Sequence, residues 1–185
     1  MSSDGKEIFV SADWLEARLD STDIAILDVR AGFRPQPPGP SDFFSMRQQY
    51  EEGHIPNSHY LHMVDDLSKP DGAFPFEALS PPDLHRLLGE MGVSNSQTLV
   101  IYGGQMHAVT HRCWWVLRYA GAQDVRILNC AYDSWVKQRR PSSQKVPDIP
   151  STRFQATPLP GWLASRDDVY AAINDPNIGL INALT

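Results

Sequence analysis

At 185 residues the chain has room for one domain, or for one domain and part of another. A hydrophobic fraction of 42% with five tryptophans can fill a core, while a net charge of -6 gives no basic footprint for nucleic acid or an anionic membrane. The opening residues show no Lys/Arg-rich start followed by a long apolar run, and no window approaches the roughly 18 apolar residues that span a bilayer. Two cysteines, Cys113 and Cys130, are too few for a disulfide scaffold, so free thiols are expected. These observations predict a soluble, cytoplasmic protein with neither a nucleic-acid nor a membrane partner.

Ser11 and Asp13 precede an apolar-periodic stretch (Trp14, Leu15, Leu19), which predicts a helix N-terminus. A strand is expected over 25–29, and the segment 33–41, with four prolines, reads as a loop outside any sheet ladder. Residues 42–52 read as a short helix stopped by Gly53 and Pro56, and 59–63 as a short strand. A polar loop over 68–78 leads to Ser80-Pro81-Pro82, which opens a helix through Leu84, Leu87, Leu88 and Met91 that Gly92 closes. Thr98 to Tyr102 is the clearest strand; Gly103-Gly104 breaks it, and 107–119 returns to helical spacing. A further strand over 125–128 and a helix over 132–139 complete the series, before a polar, proline-containing linker over 141–160.

Beyond that linker the chain repeats its own opening pattern. Ser11 to Arg30 aligns without a gap on Ser165 to Leu184, pairing Leu15 with Val169, Leu19 with Ile173, Ile24 with Ile178, Ile26 with Leu180 and Leu27 with Ile181. The fold class expected is therefore α/β, a mainly parallel central sheet flanked by helices over 8–140, plus the first helix and strand of a second copy over 161–185.

Several segments carry a resemblance when taken in order. After Leu27-Asp28-Val29-Arg30 come Tyr50 and Gly53-His54-Ile55-Pro56, then Leu99-Val100-Ile101-Tyr102 leading through a loop to Arg112-Cys113-Trp114-Trp115, then 125–128 and Trp135. Over about residues 8–140 this order resembles the N-terminal half of a tandem-domain rhodanese, the thiosulfate or 3-mercaptopyruvate sulfurtransferases. The resemblance implies a sulfur relay. A cysteine at the tip of the loop after the central strand takes sulfur from a small anionic donor, carries it as a persulfide, and passes it to a thiol or cyanide. That chemistry wants a thiolate of lowered pKa held by backbone N–H groups and a helix N-terminus. In tandem members the cysteine sits in the second domain, which is the partner implied here, and the first domain's loop is degenerate. No cofactor is implied.

Aligned on Tyr102, the loop Gly103-Gly104-Gln105-Met106-His107 places Gly103 at the nucleophile position, so no catalytic residue is expected in it. Its glycines could still cradle an anion, with Gln105 and His107 as hydrogen-bonding groups. Cys113 sits in a Cys-x4-Arg run ending at Arg118, but the intervening Trp114-Trp115-Val116-Leu117 has no glycine for an anion-wrapping loop and predicts a thiol on a buried helix. Cys130, in the loop after a strand, is the candidate reactive thiol. His54 is expected to hold the backbone around Pro56, where Asn57 replaces the usual glycine. In mercaptopyruvate members an aspartate and a histidine of this region assist the cleft; ungapped counting from His54 puts them at Val64 and near Phe74. Asp65 takes the first place if the register slips by one, and Asp65 and His54 are the candidate cleft residues. His107 and His111 share a helix face, but nothing nearby completes a metal site of usual spacing, so none is expected. Asp28 and Arg30 read as a structural pair, replaced in the second copy by Asn182 and Leu184.

The function expected is that of the non-catalytic half of a sulfurtransferase, with a free-standing, catalytically dead binding or regulatory module as the alternative. An active enzyme using Cys130 or Cys113 is the third reading.

Overall fold

Period-two alternation sorts the apolar runs onto two faces of one sheet. The computed structural model describes residues 7–38 and 42–182, in the order β1 (Phe9–Val10), α1 (Ala12–Glu16), β2 (Ile24–Asp28), β3 (Ala31–Arg34), β4 (Asp42–Ser45), α2 (Arg47–Glu52), β5 (Ser58–Tyr60), α3 (Pro81–Glu90), β6 (Thr98–Tyr102), α4 (His107–Tyr119), β7 (Val125–Leu128), α5 (Tyr132–Lys137) and α6 (Arg166–Ala172). Leu27, Leu99 and Ile101 face one core, where α3 contributes Leu84 and Leu88 and α4 contributes Val109, Cys113, Val116 and Leu117. Ile24, Ile26, Val100 and Tyr102 face the other, against Leu15 of α1 and Tyr132 and Trp135 of α5. A sheet buried on both faces needs near-continuous apolar strands, and β2 and β6 supply them.

The main sheet has five strands in the order β1-β7-β6-β2-β5, every neighbouring pair parallel. From β2 the chain runs outward to β5 and then returns to the opposite side of β2 with β6. The carboxyl ends of β2 and β6 therefore form the switch point at which such sheets bind ligands.

β6, α4 and β7 begin and end where the sequence places them. The caps of α1 and α3 also form, with the Ser11 and Ser80 hydroxyls accepting from the backbone N–H groups of Trp14 and Asp83. Elsewhere the structure corrects the sequence reading. Phe33 and Arg34 are not in a ladder-free loop: β3 pairs antiparallel with β4, Phe33 opposite Phe43. Helix α2 accordingly starts at Arg47 rather than at residue 42, because Asp42 to Ser45 extend into that hairpin and Phe43 packs edge-on against Phe76 at 5.4 Å. β5 covers 58–60 instead of 59–63, α5 stops at Lys137, and β1, a two-residue edge strand, adds to β7 ahead of the first predicted element.

Segment 141–160 contains no helix or strand, yet it is docked on the domain. Phe154 is 5% exposed and belongs to the α3/α4 core. The Thr152 N–H donates to the Gly89 carbonyl at 2.8 Å, and a Cβ on Gly89 would come within 2.7 Å of the Thr152 oxygen. Gly121, at φ +98°, likewise admits the Thr157 carbonyl where any side chain would clash.

In the segment expected to open a second copy, α6 forms with a capping box between Ser165 and Asp168, but the apolar run after it joins no ladder among the described residues. The expected strand is not formed among the described residues. Leu184, the counterpart of Arg30, lies outside the described residues.

Because Phe154 fills space in the main core, Phe154→Ala is expected to cost about 3–5 kcal/mol in chemical denaturation. A loose tether would lose almost nothing.

Candidate active-site loop and the network beneath it

Asp28 ends β2 with its carboxylate fully buried. Such a charge needs a partner, and Arg30 folds back to supply one. The Arg30 Nη2 lies 2.7 Å from Asp28 Oδ2, Nε donates to both oxygens at 3.0 and 2.9 Å, and the Arg30 backbone N–H donates to Oδ1 at 3.0 Å. Burial alone would lower the Arg30 pKa; hydrogen bonding and attraction to Asp28 outweigh it and hold the guanidinium above its ordinary range. The Tyr102 hydroxyl donates to Asp28 Oδ2 at 2.7 Å and accepts from the Ile55 N–H at 3.1 Å. Burial first, and then Asp28, push that phenol well above its usual range, so it remains a donor.

The same network ties down the Gly53-His54-Ile55-Pro56 turn. Arg30 Nη2 donates to the Gly53 carbonyl at 2.7 Å, the Tyr50 hydroxyl to the Ser58 carbonyl at 2.6 Å, and the Tyr60 hydroxyl to the Arg30 carbonyl at 2.9 Å. His54 is fully buried. Its ring stacks on Tyr50 with centroids 4.1 Å apart, and Nδ1 and Nε2 face the carbonyls of Tyr50 at 2.7 Å and Lys145 at 3.1 Å. The ring is therefore engaged by the fold. Asn57 stands at φ +62°, a left-handed conformation that a glycine would take without cost and that asparagine tolerates best among other residues.

Arg30 also reaches the loop that follows β6. Its guanidinium lies 4.0 Å from the centroid of the Tyr132 ring, and the Tyr132 N–H donates to the Gly103 carbonyl at 3.0 Å. Gly103, Gly104, His107, Thr110, His111 and Cys130 together line a cavity of about 80 Å³ at the carboxyl ends of β6 and β7. Gln105 and His107 are exposed and Met106 packs against the α3/α4 core. Gly103 is buried, and a Cβ there would overlap Thr110 Oγ1. Thr110, 5% exposed on α4, thus occupies the volume that a side chain at 103 would need. No reading of the sequence pointed to Thr110; the relevant signal, a β-branched residue one helical turn past the loop, has meaning only once the loop's geometry is known.

Neither thiol is activated. Cys113 is fully buried, which pushes its pKa up to about 12, against a slight opposing pull from Arg112. Burial also raises the Cys130 thiol, and Arg140 offsets this only in part. Asp65 lies elsewhere, after β5, its Oδ2 2.8 Å from His62 Nδ1. His107 and His111 have ring centroids 6.4 Å apart, and among the described residues no group of three or more metal-ligating side chains is assembled. No helix among the described residues is long and apolar enough to cross a membrane.

A rhodanese-like domain pattern matches residues 11–138, and the chain belongs to that family. Among curated relatives it is 27% identical to the sulfur carrier protein TtuD of Thermus thermophilus over 168 residues, 90% of this chain and 53% of that protein. It is also 27% identical to the 3-mercaptopyruvate sulfurtransferase of Escherichia coli over 175 residues, 95% of this chain and 60% of that protein. The crystal structure of SseA from Escherichia coli, described as the rhodanese fold of 3-mercaptopyruvate sulfotransferases, superposes with a TM-score of 0.79 at 26% identity, covering 90% of this chain and 62% of that one. The chain spans little more than half the length of the curated relatives it matches.

Removing one partner of the buried pair, as in Asp28→Asn or Arg30→Met, is expected to cost about 3–5 kcal/mol in denaturant titrations. For the thiols, alkylation with iodoacetamide at pH 8 should label Cys130 more slowly than a free thiol and Cys113 only after unfolding. A raised native pKa at Cys113 also gives a stability contribution that is complete below the ordinary thiol value near 9 and lost as pH climbs from there towards about 12. The stability advantage of the native chain over Cys113→Ala should therefore shrink over that window.

Proposed function

We propose that this chain is the N-terminal, non-catalytic half of a sulfurtransferase that moves sulfane sulfur from thiosulfate or 3-mercaptopyruvate to a thiophilic acceptor. The persulfide-bearing cysteine belongs to a second rhodanese-like domain, of which 161–185 is the start. The observation that carries this reading is at Gly103. The residue aligned with the nucleophile has no side chain, and Thr110 fills the place where one would sit. The two thiols the chain does possess are held protonated by burial, the opposite of what sulfur attack requires.

The second domain is supported by comparing the chain with itself. Leu15, Leu19, Ile24, Ile26 and Leu27 are each 9% exposed or less, while their counterparts Val169, Ile173, Ile178, Leu180 and Ile181 are 43, 58, 50, 52 and 92% exposed. In the first copy β6 and α5 cover Leu15, Leu19, Ile24 and Ile26 while α3 and α4 cover Leu27, so the second copy calls for the same elements. At about 25 cal/mol per Å², leaving five such side chains in water forgoes several kcal/mol. A free-standing module has no use for that surface, and the alternative reading is the weaker one.

Three chains test the lack of catalysis and its origin at residue 103 in a thiosulfate:cyanide assay. The native chain is expected to show no turnover. Gly103→Cys should also be inactive and destabilised by about 1–3 kcal/mol through overpacking. Gly103→Cys with Thr110→Ala should regain that stability and expose a thiol that alkylates readily. Turnover by the native chain would contradict the reading. The intact mass of the natural product tests the second domain: a continuation with a cysteine in the loop after its central strand is expected, and a natural stop at Thr185 would contradict it.

A further inference from the structure

The loop between β5 and α3 forms a second concavity at the carboxyl end of the sheet. It is closed on itself by the Ser68–Ala78 bridge, by the Leu79 N–H donating to the Leu67 carbonyl at 3.1 Å, and by the Lys69 N–H donating to the Glu77 carbonyl at 2.7 Å. Arg112 of α4 ties it down from behind, donating from Nη2 to Ser68 Oγ at 3.1 Å and to the Phe76 carbonyl. Within it lies a groove of about 570 Å³ whose apolar walls include Val64, Pro70, Phe74 and Phe76. Phe74 is 67% exposed, more than any other phenylalanine among the described residues with large exposed apolar surface.

One polar group in this groove is built rather than incidental. Asp65 lines it with 67% of its side chain exposed, and Oδ2 is held 2.8 Å from Nδ1 of His62, whose own side chain is only 4% exposed. His62 is held in turn by its backbone N–H, which donates to Asp66 Oδ2 at 2.7 Å. Its other ring nitrogen, Nε2, is buried without a hydrogen-bond partner. A buried histidine so restricted has one function visible in the geometry, which is to fix the Asp65 carboxylate against the aromatic wall. Around the groove Lys69 is neutralised by Glu77 at 2.5 Å, and the carboxylates of Asp65, Asp66, Asp71 and Glu77 outnumber the cations Lys69 and Arg112.

We propose that this groove binds an organic cation, a protonated amine carried on an aromatic or branched aliphatic body. The body lies against Phe74, Phe76 and Val64 while the ammonium group meets Asp65 and the face of Phe74, where carboxylate and ring quadrupole attract the same charge. An anion is disfavoured by the fixed carboxylate, and an uncharged molecule gains only the apolar contact. The site goes beyond the sulfur-transfer reading and does not depend on it, because binding is measured with no sulfur donor present.

The test is calorimetric and NMR titration of the full chain with phenethylammonium, 2-phenylethanol and 3-phenylpropionate, which share a phenyl body and differ in charge. Phenethylammonium is expected to saturate, to bind more tightly than the alcohol and the acid, and to weaken with added salt. Asp65→Asn should weaken it by up to about fivefold, the upper end for an exposed ion pair, while leaving the alcohol unchanged. Phe74→Ala should weaken both. Both substitutions are at exposed positions, so the variants stay folded, which native amide spectra verify. Equal affinities for the three probes, no effect of Asp65→Asn, or no saturation up to the amine's solubility limit would each overturn the proposal.

Discussion

Asp28 is a fully buried carboxylate at the end of a central strand, and the carboxyl side of the sheet is arranged around it. Left alone it would cost several kcal/mol. Arg30 and Tyr102 satisfy it, and through them the ends of β2 and β6, the Gly53 to Pro56 turn and the start of α5 are held in one register. The Gly103 loop inherits its position from this arrangement: its carbonyl is bonded to Tyr132, and Arg30 packs on the Tyr132 ring. Apolar burial holds the two faces of the sheet, but the alignment of its functional edge rests on one ion pair.

That division explains how the loop keeps its shape with a glycine at 103. The scaffold beneath it is independent of residue 103, so no side chain there is needed for folding. Thr110 fills the volume that a side chain at 103 would need, and this end of the sheet is closed by it. The segment that aligns with the chain's opening differs at this point, with Asn182 at the position of Asp28.

How much of this was legible beforehand follows the physics of each element. β6, α4 and β7 could be placed from sequence because apolar periodicity, a Gly-Gly break and a short polar turn all agreed there. The β3/β4 hairpin could not: four prolines announced a loop, while Phe33 and Phe43 extend because each finds a partner across the ladder and at Phe76, information that is long-range. β1 was lost for the same reason, as two residues carry no period and exist as a strand only against β7. The linker's proline content concealed Phe154, whose segment is admitted by Gly89 in α3 and Gly121 just past α4. At the site, the burial of Cys113 on a helix was readable from residue type. Thr110 and His62 were not, since a threonine that fills a neighbour's volume and a histidine that orients a carboxylate leave no local pattern.

The measurement that bears most directly on the proposed non-catalytic role of this domain is the intact mass of the chain after incubation with thiosulfate, followed by peptide mapping of both cysteines. The account predicts an unchanged mass, with Cys113 and Cys130 recovered as thiols. A gain of one sulfur atom on either cysteine, discharged by cyanide, would contradict it and make this domain itself a sulfur carrier.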